Sequence, residues 1–247
     1  MQNTHVWHQL NLHRNKVILV LALVCCVIQS EAQQKTRWVR KNNPNYDARK
    51  LTYGFLIGLH TTTFQLNYSD QFVSRPDLDT LHSVTPDWSP GFSLGFIVNY
   101  RIADFFDIRL TPEVAFYENK VRYQNTNGTF QDQLVETTMV ELPILLKYKS
   151  ERRDNVRMYM IGGIKPGIDA SGKKKLDQTI ESLEVKGTNL SLEAGLGFDL
   201  YFPLFKFSPE LRYSRGLINI LNNATNIYGV PLQRVNTNTI TLYFLFQ

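Results

Sequence analysis

Period-two alternation dominates this chain. From Tyr53, large apolar residues (Tyr53, Phe55, Ile57, Leu59) take every second position, and Gly54, Gly58 and His60 fall between them. Residues i and i+2 of a strand share a face, so this pattern predicts a strand with one apolar side. The alternation recurs in eight segments, over 52–66, 90–101, 105–124, 133–149, 155–169, 187–202, 206–216 and 235–247. No helix-period segment of useful length and no Pro-, Gly- or Ser-rich linker interrupts them. The spacers alternate: roughly 20, 3, 8, 5, 16, 3 and 18 residues, the long-loop and short-turn rhythm of an outer-membrane barrel.

The two faces differ in kind. One carries Phe92, Leu94, Phe96, Val98 and Tyr100, then Leu142, Ile144, Leu146 and Tyr148, then Leu192, Leu196 and Phe198, and no charge. The other carries Arg109, Glu113, Glu141, Lys147, Lys165, Glu193, Asp199, Glu210 and Arg212, with Gly95, Gly163, Gly195 and Gly197 among them. In a soluble barrel of the lipocalin kind the apolar face would point inward. Eight strands enclose only enough room for side chains, and this many Phe, Tyr and Leu would overfill it. The glycines and near-balanced charges fill it better, whereas Lys or Arg facing lipid at mid-depth costs about 2–4 kcal/mol. The expected fold is all-β, an eight-stranded antiparallel up-and-down transmembrane β-barrel. Aromatic girdles are expected from Phe105, Tyr148, Tyr201, Phe202 and Phe205 at the short turns and from Phe64, Tyr68 and Tyr123 at the long loops.

The N-terminus agrees with export. Arg14 and Lys16 precede the apolar run Val17 to Ile28, and a Ser30-x-Ala32 cleavage pattern follows. This reads as a signal peptide over 1–32 cut after Ala32, then a periplasmic leader over 33–51 and the barrel over 52–247. The apolar run is too short to span a bilayer, which takes roughly 20 helical residues. Cys25 and Cys26 lie inside it, and the residues before them, Leu23 and Val24, are too large for a lipidation signal. Their loss leaves no thiol for disulfides, catalysis or metal. Two of the 27 Lys and Arg and one of the 22 Asp and Glu leave with residues 1–32, so 25 basic side chains face 21 acidic ones. That balance is too mild, and the basic residues too scattered, to imply nucleic acid.

Candidate chemistry is sparse. The inward charges could form a proton relay or an ion path; charges of both signs on most strands fit better a salt-bridged plug that satisfies the polar groups of a narrow barrel. Outer-membrane enzymes such as lipid A deacylases and palmitoyltransferases pair a His with Ser and an acid. Here His60 falls in a strand and His82 in a long loop, and no spacing joins either to Ser93 or Ser191. No catalytic residue, cofactor, metal site or small-molecule substrate is expected. The leader is richer, with Arg37, Trp38, Arg40 and Tyr46, and the turn "SERRDN" adds Arg152 and Arg153 on the same side. Trp and Arg are enriched at binding hot spots, so these six residues are the candidate periplasmic docking surface. The competing reading is a solvated tail.

"NPNYDARKLTYGFLIGL" at 43–59, "LTPEVAF" at 110–116, "VELPILLKYKSER" at 140–152 and "YMIGGIKPGID" at 159–169 together resemble the PorT family. These are outer-membrane barrels of Bacteroidetes required for type IX protein secretion and, in gliding species, for motility. The last strand, "TLYFLFQ", resembles the recognition signal of the barrel assembly machinery, with Gln247 in place of the usual Phe. The resemblance implies a non-enzymatic outer-membrane protein with both termini periplasmic, lipid around it and other secretion proteins as partners; the family brings no catalytic residues. The alternatives are a generic small barrel for adhesion or envelope integrity, and a lipid A-modifying enzyme.

Overall fold

The computed structural model describes residues 42–70, 81–125, 128–170, 183, 185–222 and 229–247. Signal peptide, cleavage after Ala32, and Arg37, Trp38 and Arg40 fall outside these residues.

Among the described residues, eleven strands form one antiparallel sheet. They are β1 (Leu51–Tyr68), β2 (Leu81–Asp87), β3 (Ser89–Arg101), β4 (Phe106–Leu110), β5 (Glu113–Asn125), β6 (Phe130–Glu141), β7 (Ile144–Lys149), β8 (Val156–Asp169), β9 (Thr188–Tyr201), β10 (Lys206–Gly216) and β11 (Leu232–Phe246). Three pairs are single rungs with a break. Trp88 separates β2 from β3, Thr111-Pro112 separates β4 from β5, and Leu142-Pro143 separates β6 from β7. Proline has no N–H for the ladder, so the rung kinks there while its neighbours keep bonding: Pro112 O accepts from Phe96 N at 2.9 Å and Pro143 O from Thr111 N at 3.1 Å. Counted as rungs, the strands number eight. The ring closes where β1 pairs with β11 from Phe55↔Phe246 to Tyr68↔Leu232. Closure leaves no edge, the condition for a sheet that meets lipid.

The eight alternating segments correspond to these rungs, with three differences. The second rung begins at Leu81, so His82 lies in β2 rather than in a loop. The last begins at Leu232 rather than 235. The third and fourth extend until only residues 126–129 join them, a tight turn with Gly128 at φ +80° instead of a loop of roughly eight residues. The remaining long connections leave one end of the ring. The short turns at 102–105, 150–155 and 202–205 gather at the other.

Burial is inside-out relative to a soluble protein. Tyr53 is 77% exposed, Phe96 69% and Leu196 58%, while Arg109 is 0%, Lys147 1% and Glu210 1% exposed. Apolar residues ring the outside over several strands, a continuous surface far larger than the few hundred Å² that a water-soluble monomer tolerates. The apolar face therefore points outward, to lipid, and the charged face inward.

The girdle expectation holds at the short-turn end only in part. Phe202 and Phe205 stack at 4.9 Å, Phe207 packs on Phe246 at 5.1 Å and Phe106 on Tyr148 at 5.1 Å. Tyr201 is a correction: it is 3% exposed and points inward. At the long-loop end Phe64 and Tyr123 are corrections too. Both are buried in an apolar cluster with Val84, Val121, Val135 and Leu232, which the loop residues Leu183, Ile220 and Leu221 complete. Phe64 shares the parity of His60 and Thr62 on β1, which turns it inward. Among the described residues, the inward side chains at the long-loop end are thus largely apolar rather than charged.

Candidate functional site

The lumen is the first candidate, and it is built by strand parity. Arg109 on β4 and Glu210 and Arg212 on β10 are inward positions of distant strands whose side chains meet at the barrel axis. Arg109 Nη1 reaches Glu210 Oε2 at 2.6 Å, Arg212 Nε bonds the other oxygen of Glu210, and Arg212 Nη1 lies 3.3 Å from Glu193 Oε2. Tyr159 donates its hydroxyl to Glu210. Nearer the short turns, Lys147 bonds Asp199 at 2.7 Å, Ser208 donates to the second Asp199 oxygen at 2.7 Å, and Lys149 bonds Asp107 at 2.5 Å. Towards the long loops, Lys165 pairs with Glu141 at 3.0 Å and Tyr117 donates to the same carboxylate. Glu113 accepts from the Tyr243 hydroxyl at 2.8 Å; among the described residues no cation lies within ion-pair distance of it.

All nine inward charges predicted from the sequence are buried, and eight of them join ion pairs. The sequence reading missed Asp107, Lys149 and Lys206, which share inward parity with Arg109, Lys147 and Ser208. It also missed the tyrosines. Lys147 Nζ sits 3.6 Å from the centre of the Tyr159 ring, and the Arg212 guanidinium 4.2 Å from that of Tyr243. These rings lie over glycines of the adjacent strand: Tyr159 pairs with Gly197 and Tyr243 with Gly58. A Cβ at either glycine would strike the ring. The glycines make room for a neighbour's ring rather than for chains crossing the lumen.

His60 is buried, its ring 4.5 Å from that of Tyr117. Ser93 and Ser191 are buried as well, and no hydrogen bond among the described residues joins His60 to either. Among the described residues no three His, Cys, Asp or Glu side chains converge on a point that could hold a metal.

The second candidate is the short-turn mouth, where the end of the leader folds in. Residues 46–48 form one 3-10 turn. From it Asp47 reaches Arg157 Nη1 at 3.0 Å and Arg152 Nη1 at 3.6 Å, and accepts from the Tyr201 hydroxyl at 3.1 Å. Its backbone carbonyl accepts from Arg101. Arg152 also donates to the carbonyls of Asn42 and Asn43 and stacks 3.6 Å over the Tyr201 ring. The Tyr46 ring meets Tyr201 edge-on at 5.6 Å, under the Lys206 ammonium. Two of the six docking candidates are corrected by this geometry. Arg152 is 4% exposed and Tyr46 half-buried, because both hold the leader in the mouth. Arg153 is exposed. No sequence signal marks Asp47: an isolated acid in a basic segment reads as solvated.

Comparison with known proteins agrees with the ring. The profile of the outer membrane protein beta-barrel domain family matches residues 31–222. A comparison with curated proteins finds no match. Among solved structures, the outer membrane protein OprG from Pseudomonas aeruginosa is similar at 16% identity and TM-score 0.43, over 78% of this chain and 94% of that one. Neisserial surface protein A is similar at 14% identity and TM-score 0.39, over 80% and 98%. The translocator domain of the autotransporter NalP from Neisseria meningitidis follows at 10% and 0.33, over 78% and 88%. The family match spans most of the described barrel, and this chain belongs to the outer membrane protein beta-barrel domain family.

Proposed function

We propose that this outer-membrane barrel is a PorT-type accessory component of type IX protein secretion, and of gliding motility where that occurs. It acts without catalysis or cofactor, and its short turns and both termini face the periplasm. The observation that carries this reading is the Asp47 latch. The stretch of sequence most specific to the PorT resemblance, "NPNYDARKLTYGF" at 43–55, runs from a leader held in the short-turn mouth straight into β1. A tail that only delivers the chain to the barrel has no need of a half-buried anion held by Arg152, Arg157 and Tyr201. Exposed Arg153, at the short turns beside this fixed segment, is the docking candidate for a periplasmic secretion component among the described residues, and Arg37, Trp38 and Arg40 of the leader, which lie outside them, are the further candidates read from the sequence.

The inward ion pairs support a structural role for the lumen. Charges matched this closely fill space and satisfy one another, and the interior they leave is a plug rather than a path. His60, fixed against Tyr117 and away from an acid–serine partnership, gives the enzyme reading no support. The generic adhesion or integrity barrel differs in its partners. Detergent-solubilised outer membranes should release the protein together with other secretion components in a pull-down. Recovery of the intact barrel alone, under conditions that keep other envelope complexes together, would refute the secretion role.

A further inference from the structure

Above the lipid-facing band, the outer wall of the barrel carries a polar cleft at the tops of β1, β10 and β11. It encloses about 360 Å³ and is lined by Gln65, Asn67, Arg215, Leu217, Arg234 and Asn236. Its position follows from parity. Arg215 is the next outward residue after Leu211 and Tyr213, which are 55% and 45% exposed. Arg215 pairs with Asn238, two places beyond the outward Ile240, and Arg234 pairs with Asn67, well above the outward Leu59. The apolar band therefore ends one step below Arg215, and both guanidiniums stand where hydrocarbon gives way to headgroups.

Among the described residues no carboxylate neutralises either arginine. Both are exposed, the cleft lining contains no carboxylate, and among the described residues neither forms an ion pair. Both are nevertheless held in place. Arg234 donates to Asn236 Oδ1 at 2.7 Å and to Leu217 O at 2.7 Å, and Arg215 donates to Gln65 Oε1 at 3.3 Å. Asn236 is in turn tied to the carbonyls of Gly216 and Ile218 at 2.9 and 3.0 Å. Each guanidinium has five N–H donors, and these bonds leave several pointing to the cleft. Two braced planar forks above an apolar wall match an anionic phosphate whose acyl chains run down that wall.

We infer that this cleft binds the phosphate of an outer-leaflet lipid, with Arg215 and Arg234 as its ligands and Tyr213, Ile240 and Leu59 flanking the acyl chains. The inference rests on the orientation proposed above, with the long loops outside, and is independent of any role in secretion.

The test uses the full-length barrel folded in detergent and shown to be folded by heat-modifiable gel mobility. It is mixed with bisphosphorylated lipid A, with dephosphorylated lipid A, or with inorganic phosphate, and bound molecules are counted by native mass spectrometry. Wild type should retain bisphosphorylated lipid A over the dephosphorylated form. Arg215→Gln/Arg234→Gln should lose this preference by about tenfold or more, the scale of a lost charge-assisted contact. Arg215→Lys/Arg234→Lys keeps the charge without the fork and should fall between. Equal retention by wild type and the Gln variant, or by the two lipids, overturns the site. Inorganic phosphate that competes at the concentration of the lipid overturns the lipid as its source. Orientation is read separately, by labelling a Phe130→Cys variant on intact cells with an impermeant maleimide. Labelling supports long loops outside. Protection overturns the orientation while leaving the binding measurement standing.

Discussion

Replacing Glu210 with alanine is the sharpest perturbation of the lumen. Its carboxylate accepts from Arg109, Arg212 and the Tyr159 hydroxyl, and all three donors are buried with it. Hydrogen bonds to charged groups contribute about 1.5–3 kcal/mol each, so two guanidinium bonds and a phenol bond would sum to about 4.5–9 kcal/mol. The net loss is smaller, because the two cations are not stranded equally. Arg212 keeps Glu193 at 3.3 Å, whereas among the described residues Arg109 keeps no carboxylate, but the Asn99 amide oxygen at 3.4 Å and the Tyr159 ring at 5.2 Å. One orphaned buried cation costs about 3–5 kcal/mol. With a urea slope of about 2 kcal/mol per M, Glu210→Ala should lower the unfolding midpoint in lipid vesicles by about 2 M.

The double variant Arg109→Met/Glu210→Ala separates pairing from packing. It removes the orphan, and should cost less than the sum of the two single changes by at least about 1 kcal/mol, within the range of coupled neighbours. Urea titrations followed by gel mobility and by the fluorescence of Trp88, which is 53% exposed on the outer wall, would measure all three. A midpoint shift for Glu210→Ala below about 0.5 M, or strict additivity in the double variant, would refute the interlocked network.

Glu141→Ala strands one cation, Lys165, whose remaining described partner is the Tyr117 hydroxyl at 3.1 Å; the expected loss is about 3 kcal/mol, seen in the same titration. Purified protein in planar bilayers should show no stable conductance, and a reproducible open channel would overturn the plug. Asp47→Ala should leave the barrel folded but free the leader, so limited proteolysis of intact barrels should cut near residues 42–50 faster than in wild type; equal rates would mean that the latch holds nothing. Replacing Gln33 to Asn43 with a Gly/Ser linker of equal length should abolish cargo secretion while the barrel still assembles, and wild-type secretion would reduce the leader to a tail.

The architecture was legible because lipid and a narrow lumen impose opposite demands on alternate residues. Phe92 to Tyr100 and Arg109 to Glu113 declare their faces without further information. Aromatic residues suit both faces, so composition does not fix theirs, and Tyr201, expected in a girdle, has inward parity on β9. Tyr159, Tyr201 and Tyr243 point inward, where a hydroxyl finds Glu210, Asp47 or Glu113 and a ring covers a glycine or a cation. The apolar cluster at the long-loop end has no local signature for a related reason. Phe64, Val121 and Val135 close that end only because Leu183, Ile220 and Leu221 return from loops far along the chain. The Asp47 latch depends on 154 residues of intervening sequence to bring Tyr201 to it, and no local pattern encodes such a meeting.

The three zones of the interior depend on one another. Ion pairs such as Lys147–Asp199 are strong only while water is kept from them, because the attraction between charges grows as the surrounding dielectric falls. The apolar cluster at the long-loop end and the Asp47–Arg152–Tyr201 closure at the short-turn end are what keep it out. Opening either end would hydrate the charges nearest to it and weaken the pairs behind them, and a continuous path would require both closures and the central Arg109–Glu210–Arg212 cluster to yield together. Each of these costs several kcal/mol on the magnitudes above, against the 5–15 kcal/mol by which whole domains are stable. A function routed through the lumen would therefore have to dismantle much of the barrel. Functions on its rims, at the leader and at the Arg215–Arg234 cleft, leave the interior untouched.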